Sequence, residues 1–180
     1  MSILSLDKNY FELFGLEAGY AVELSALAAV YRKLQQQFHP DRFSAAGDRE
    51  QRMAVQMSAR INEAYNALSS PLKRAQYLLK LQDIDASGEN TTTNDPQFLM
   101  QQIMLREQLS EVREQADPES AIESMKAEVE AMITAASDEF SQAYQQNNTA
   151  VATAVVARMQ FLYKLLVEVE RVEESIFDDE

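Results

Sequence analysis

The stretch "QQQFHPDRF", Gln35 to Phe43, holds the chain's single histidine, His39, between an apolar-periodic segment and a proline. Upstream, in "ELSALAAVYRKLQQQF", Leu24, Leu27, Tyr31, Leu34 and Phe38 recur at helical spacing and form one stripe of an amphipathic helix. Arg32, Lys33, Gln36 and Gln37 fall off that stripe, toward solvent. Pro40 lacks an N–H and disfavours helical geometry at His39, so the helix ends at about Phe38 and "HPDRFSAAGD" reads as a loop. A second long helix is expected from about Arg49 to Leu68, with Met53, Met57, Ile61, Ala64 and Leu68 facing inward. The short connection makes the two helices antiparallel neighbours.

Outward from this hairpin the chain stays helical. In "NYFELFG", Asn9 caps a short helix, Glu12 completes a capping box and Gly15 takes the left-handed stop. In "SSPLKRAQYLLKL", Ser70 caps a further helix and Pro71 takes its first position, where the missing N–H costs nothing. The polar run "DASGENTTTNDP" has no periodicity and marks a boundary, giving an N-terminal domain at 1–83, a linker at 84–95 and a second domain at 96–180. There, helices are expected over about Pro96–Gln115, Glu119–Gln146 and Thr149–Phe177, with an acidic frayed tail. Ile122, Met125, Val129, Met132, Ala136, Phe140 and Ala143 hold heptad-like spacing, as do Ala152, Val155, Met159, Leu162, Leu166 and Val169. Short connections imply an up-down-up three-helix bundle, so the fold class is all-α, a helical hairpin followed by a bundle.

Composition removes several kinds of chemistry. The absence of cysteine excludes a disulfide framework, a thiolate zinc site and any cluster held by this chain's own thiolates, and one histidine leaves no His-rich metal site. No cofactor is expected. A net charge of -13 argues against nucleic acid as the main partner. The charge is uneven, because residues 31–80 hold nine basic side chains (Arg32, Lys33, Arg42, Arg49, Arg52, Arg60, Lys73, Arg74, Lys80) against four acidic ones. Such a positive island steers an acidic partner toward itself. The start "MSILSLDKNYFELF" lacks a basic n-region and a cleavage site, and the longest uninterrupted apolar run is far short of the roughly 18 residues of a bilayer span. A cytoplasmic protein without a membrane partner is the expectation.

His39 as a nucleophile's base would need a partnered Ser, Cys or Thr on an elbow that the sequence lacks, and no glycine-rich phosphate cradle is present; the chain does not read as an enzyme. A turn role, with the imidazole capping the preceding helix's carbonyls, and a docking role remain open. A basic-containing helix, then His39-Pro40-Asp41, Arg42 and Phe43, then an antiparallel helix ending in "NEAYNALSSPLKRAQYLL" resembles the J-domain of DnaJ-type co-chaperones. Together with "YFELFGL" and the later "FLMQQIMLREQL", the resemblance extends over nearly the whole chain to the HscB family of iron-sulfur-assembly co-chaperones. It implies that His39, Pro40 and Asp41, flanked by Arg32, Lys33 and Arg42, bind a heat-shock chaperone of the HscA/DnaK class and stimulate its ATPase. The glutamines at 35–37 depart from the lysine-rich helix of a generic J-domain.

The helix beginning near Pro96 has one apolar face too many. Phe98, Leu105, Leu109 and Val112 lie within about 40° of one line at 100° per residue, enough to seal a small bundle. Leu99, Met100, Ile103 and Met104 gather on the far side, and Glu107 and Glu111 continue that face. Such a helix packs on the first domain, pairs with a second copy, or presents a patch to another protein. The family resemblance implies the last, with an IscU-type iron-sulfur scaffold bound through Leu99, Met100, Ile103 and Glu107 and with Phe161 from the final helix. Met104 stands where that family is expected to carry an acidic residue. The alternatives are a DnaJ-like co-chaperone for another client and a non-chaperone helical adaptor, including a nucleic-acid binder using Arg49, Arg52 and Arg60.

Overall fold

The computed structural model describes residues 7–86 and 96–178, and those residues form helices and turns without a strand. They fall into two compact units, one running to Gln82 and the other starting at Asp83.

In the first unit, α1 (Tyr10–Phe14) opens on the expected capping box. Asn9 Oδ1 accepts from the Glu12 N–H at 2.9 Å, and the Glu12 carboxylate accepts from the Asn9 N–H at 2.9 Å. Gly15, at φ 68, closes it in the left-handed region. Helix α2 (Leu24–Phe38) is capped by a residue that the sequence does not advertise, because the Glu23 carboxylate accepts from the N–H groups of Ser25 and Ala26. Helix α3 (Asp48–Ser69) lies antiparallel to it, and α4 (Pro71–Lys80) follows with Ser70 Oγ accepting from the Lys73 N–H at 3.4 Å. Phe11, Leu27, Met57, Ile61, Leu68 and Leu78 make the core. Of the residues expected to face inward, Tyr31 and Phe38 are half-buried and two others are exposed. Leu24 is the first residue of α2 and is exposed, and Met53 is exposed while Ala54 faces inward, since the first turns of α3 run beside the 39–46 turn and past the end of α2.

Polar contacts set how these helices meet. Tyr31 stacks on Tyr65 at 4.1 Å, and Asn62 Oδ1 accepts from the Tyr31 hydroxyl at 2.8 Å and from the Gln35 amide. Arg74 is buried at 7% exposure, donates to the Leu68 carbonyl at 2.6 Å and lies over the Tyr20 ring. Tyr10 stacks on Tyr77 at 4.2 Å, and the Arg60 guanidinium sits over the Tyr10 ring while donating to the Lys8 carbonyl at 2.6 Å.

In the second unit, α5 (Pro96–Glu111) ends in a 3-10 turn at Val112–Glu114, and α6 (Pro118–Gln145) and α7 (Thr149–Asp178) follow. Asp117 caps α6 by accepting from the Ser120 N–H at 3.1 Å, and Asn147, at φ 54, turns the chain into α7. Helices α6 and α7 pair along their lengths, tied by Lys126–Glu173 at 2.6 Å and by Arg158–Glu139. Helix α5 lies against α7 and is separated from α6 by a cleft. Ile133 and Leu165 are buried where Met132 and Leu166 were expected, and the displaced pair is half-buried. By length and composition α7 is apolar enough to cross a membrane, with an 18-residue window of mean hydropathy 1.5. Its buried side chains, Val155, Met159, Leu162 and Val169 among them, make it the inner helix of the bundle. Of the expected linker, residues 87–95 lie outside the described residues, whereas Ala86 is buried and its carbonyl accepts from Gln160 Nε2 at 2.9 Å. Residues 179 and 180 of the expected tail also lie outside them.

Two outcomes follow for the first unit. Removing the buried guanidinium in Arg74→Met leaves the Leu68 carbonyl without that donor and should lower stability by about 2 kcal/mol, read from the urea midpoint. Burial first, and then the hydrogen bond and negative charge of Glu63, push the Tyr10 phenol up to about 12. Since this lies above the ordinary value of 10.0, its contribution to stability is whole below pH 10 and disappears as the pH rises toward 12. A phenolate absorbance titration should show Tyr10→Phe losing a late-ionising tyrosine.

Candidate functional site

Pro40 fixes the backbone at the end of α2, and the residues after it fold into a 3-10 turn, Pro40–Phe43, where a loop was expected. The Arg42 N–H donates to the His39 carbonyl at 3.0 Å and the Ser44 N–H to the Asp41 carbonyl at 3.3 Å. His39 Nδ1 accepts from the Asp41 N–H at 3.3 Å, so the imidazole caps the turn that follows; the expected cap on the carbonyls of the preceding helix is not made. With Nδ1 an acceptor, the neutral ring carries its proton on Nε2. The Asp41 carboxylate lies 3.6 Å from Nδ1, and the two side chains are 54% and 91% exposed. An acceptor-rich carboxylate and an N–H donor thus stand in solvent at one bend.

Two side chains that sequence reasoning did not assign to this task hold the bend in shape. Arg42 Nη1 donates to the Gln36 carbonyl at 2.9 Å, satisfying one of the open carbonyls at the end of α2. Gln51 reaches from α3 and donates to the carbonyls of Ser44 at 3.2 Å and Ala46 at 2.9 Å. No local pattern advertises a glutamine as such a tether; only the spacing from the turn to the first turns of α3 hints at it.

The positive island is thinner than counted. Arg60 and Arg74 serve the interior, whereas Arg32, Lys33, Arg42, Arg49 and Arg52 are exposed. Arg32 and Lys33 share the outer face of α2 with Gln36 and Gln37, the face that leads into the turn.

On α5, Phe98 and Leu105 are buried, while Leu99, Met100, Ile103 and Met104 are 45%, 59%, 53% and 55% exposed. Glu107 and Glu111 are exposed as well. Phe161 is not on that surface. At 8% exposure it meets Phe98 edge-on at 5.7 Å and lies under the Arg106 guanidinium, so it braces α5 from α7. Among the described residues no three metal-ligating side chains gather.

A turn with outward His and Asp thus stands on a tethered helical hairpin, and a helical bundle follows in the chain. The DnaJ domain matches residues 9–77, and the HSCB C-terminal oligomerisation domain matches residues 94–170. A co-chaperone protein HscB homolog from Aeromonas salmonicida is 44% identical over 170 residues, covering 94% of this chain and 99% of its own. This chain belongs to the HscB co-chaperone family. The chaperone HscB of Vibrio cholerae has the same fold, with a TM-score of 0.87 at 41% identity over 94% of this chain and 99% of that one. The human co-chaperone HscB superposes with a TM-score of 0.87 at 27% identity, over 94% of this chain and 84% of that one.

In this HscB-family chain the N-terminal unit is therefore a J-domain, and its turn depends on the two tethers. Gln51→Ala should cost about 1 kcal/mol and speed amide hydrogen exchange at Ser44 and Ala46. Exchange rates equal to those of the parent would mean that the glutamine does not restrain the turn.

Proposed function

We propose that this chain is a co-chaperone in iron-sulfur cluster protein maturation: it binds an IscU-type scaffold through its C-terminal unit, brings it to an HscA-type chaperone of the DnaK class through the J-domain, and stimulates that chaperone's ATPase. The observation that carries this reading is the exposed His39–Asp41 turn beside Arg32, Lys33 and Arg42, in a chain that also holds an uncovered apolar face on α5. Clustered cations raise the rate of encounter with an acidic chaperone surface, and the turn supplies the short-range donor and acceptor that fix register. ATP hydrolysis remains the chaperone's chemistry. The co-chaperone shifts it by contacts that are stronger in the chaperone's hydrolysis-competent conformation than in its other states.

The α5 face has the make-up of a binding surface. Leu99 and Ile103 supply rigid branched side chains, Met100 and Met104 adaptable ones, and Glu107 a charge at the edge. Phe161 supports this face from beneath, and its truncation would act by loosening α5. Met104 makes the face more apolar than the family pattern expected from the sequence.

His39→Gln is expected to abolish stimulation of the chaperone's steady-state ATPase while leaving helicity and scaffold affinity at parental values; undiminished stimulation would remove the reading. Leu99→Ala combined with Ile103→Ala should weaken scaffold binding by about 3 kcal/mol in titration calorimetry, as truncation of central contacts does. A double variant that binds as the parent does would take the scaffold off α5.

A further inference from the structure

Because α5 leans on α7 through Phe98 and Phe161, its opposite flank does not close on α6 and leaves a cleft of about 730 Å³. Phe98 and Leu105 line its floor, Met100 and Met104 its lip, and Met132 of α6 faces it from the other wall. That placement accounts for the half-burial of Met132. We propose that this cleft is a second part of the scaffold-binding surface and receives a segment of the scaffold that carries large apolar side chains bordered by lysine or arginine. The inference rests on the scaffold reading above and adds a site on α6 and α7 to the face on α5.

Three observations support it. Met100 and Met104 belong both to the exposed face and to the cleft, so they link Leu99 and Ile103 on one side of the helix to Met132 on the other, with Gln97, Gln101 and Gln108 among the lining. A volume within the range of ligand pockets admits more than one large side chain, and methionine walls adapt to the shape that enters. Charge then selects the occupant. From Asp83 onward the chain has six basic and 21 acidic side chains. The cleft's arginine, Arg158, is held by Glu139, while Glu128 on the wall faces solvent, as does Glu111 in a neighbouring pocket that shares Gln108 and Glu128 with the cleft. Exposed Glu128 beside the apolar floor, in a unit with this acidic excess, favours a basic-apolar segment and disfavours a second copy of the same acidic unit.

The test is titration of the full chain with an IscU-type scaffold, comparing Met132→Glu, Glu128→Lys and Ile103→Ala with the parent, each checked for parental helicity and melting. Met132→Glu leaves Leu99 and Ile103 in place and is expected to weaken binding about tenfold. Glu128→Lys, an exposed change that does not burden the fold, should weaken it severalfold at low salt, with the gap closing as salt rises. Parental affinity in both cleft variants, with Ile103→Ala weakened, would overturn the cleft and leave the scaffold reading standing. A parent chain that binds no scaffold would remove that reading and this inference with it. Sedimentation showing a dimer that Met132→Glu abolishes, with scaffold affinity unchanged, would assign the cleft to a second copy and equally overturn the proposal.

Discussion

A backbone that loses one N–H at Pro40 cannot carry α2 past Phe38, and everything the J-domain offers depends on where the chain goes next. The turn is short, so α3 must return beside α2, and the residues at the bend are pushed away from the core that the two helices share. His39 and Asp41 occupy the bend, each exposed and linked to the other through the Asp41 N–H. The hairpin below is held by apolar packing and by the Tyr31, Gln35 and Asn62 contacts, while Arg42 and Gln51 pin the turn on either side. A polar pair on such a support would lose little freedom on binding, which is what the proposed docking role asks of it.

The charge division has the same logic. The J-domain's exposed cations cluster on α2, the turn and the start of α3, whereas the bundle is strongly acidic. A partner drawn by one sign of charge is repelled by the other, and the proposed pair of partners rests on that division. The apolar residues on α5 sit within the acidic unit, where negative charge at the rim narrows the set of proteins that can cover them.

Much of this was visible in the sequence where local chemistry decides structure. Asn9 with Glu12, Ser70 with Pro71, and Pro40 after an amphipathic stripe each fix a boundary through bonds made within a few residues, and the helices begin or end there. The two-faced character of α5 was equally legible, because it needs only periodicity. What escaped depends on contacts between segments. A strict heptad reading placed Met132 and Leu166 in the core, but an α-helix drifts against a seven-residue repeat, and from Val129 at about 100° per residue Ile133 stands nearer the stripe than Met132 does. Met53 lost its place because Ala54, three residues before Met57, is the position that faces inward at the start of α3. The burial of Phe161 under Arg106 arises from how α5 lies on α7, which no single helix encodes. The Arg42 and Gln51 tethers, and the diversion of Arg60 and Arg74 to the interior, likewise follow from tertiary placement.

The most direct measurement is residue-resolved: amide NMR spectra of the isotope-labelled chain, recorded as an ATP-bound HscA-type chaperone is added. Shifts and broadening confined to the outer face of α2 and to residues 39–46, with the core-facing amides of α3 and α4 unmoved, are the result this account predicts. Signals of His39, Asp41 and Arg42 that stay unchanged at saturation, while other surfaces respond, would contradict it.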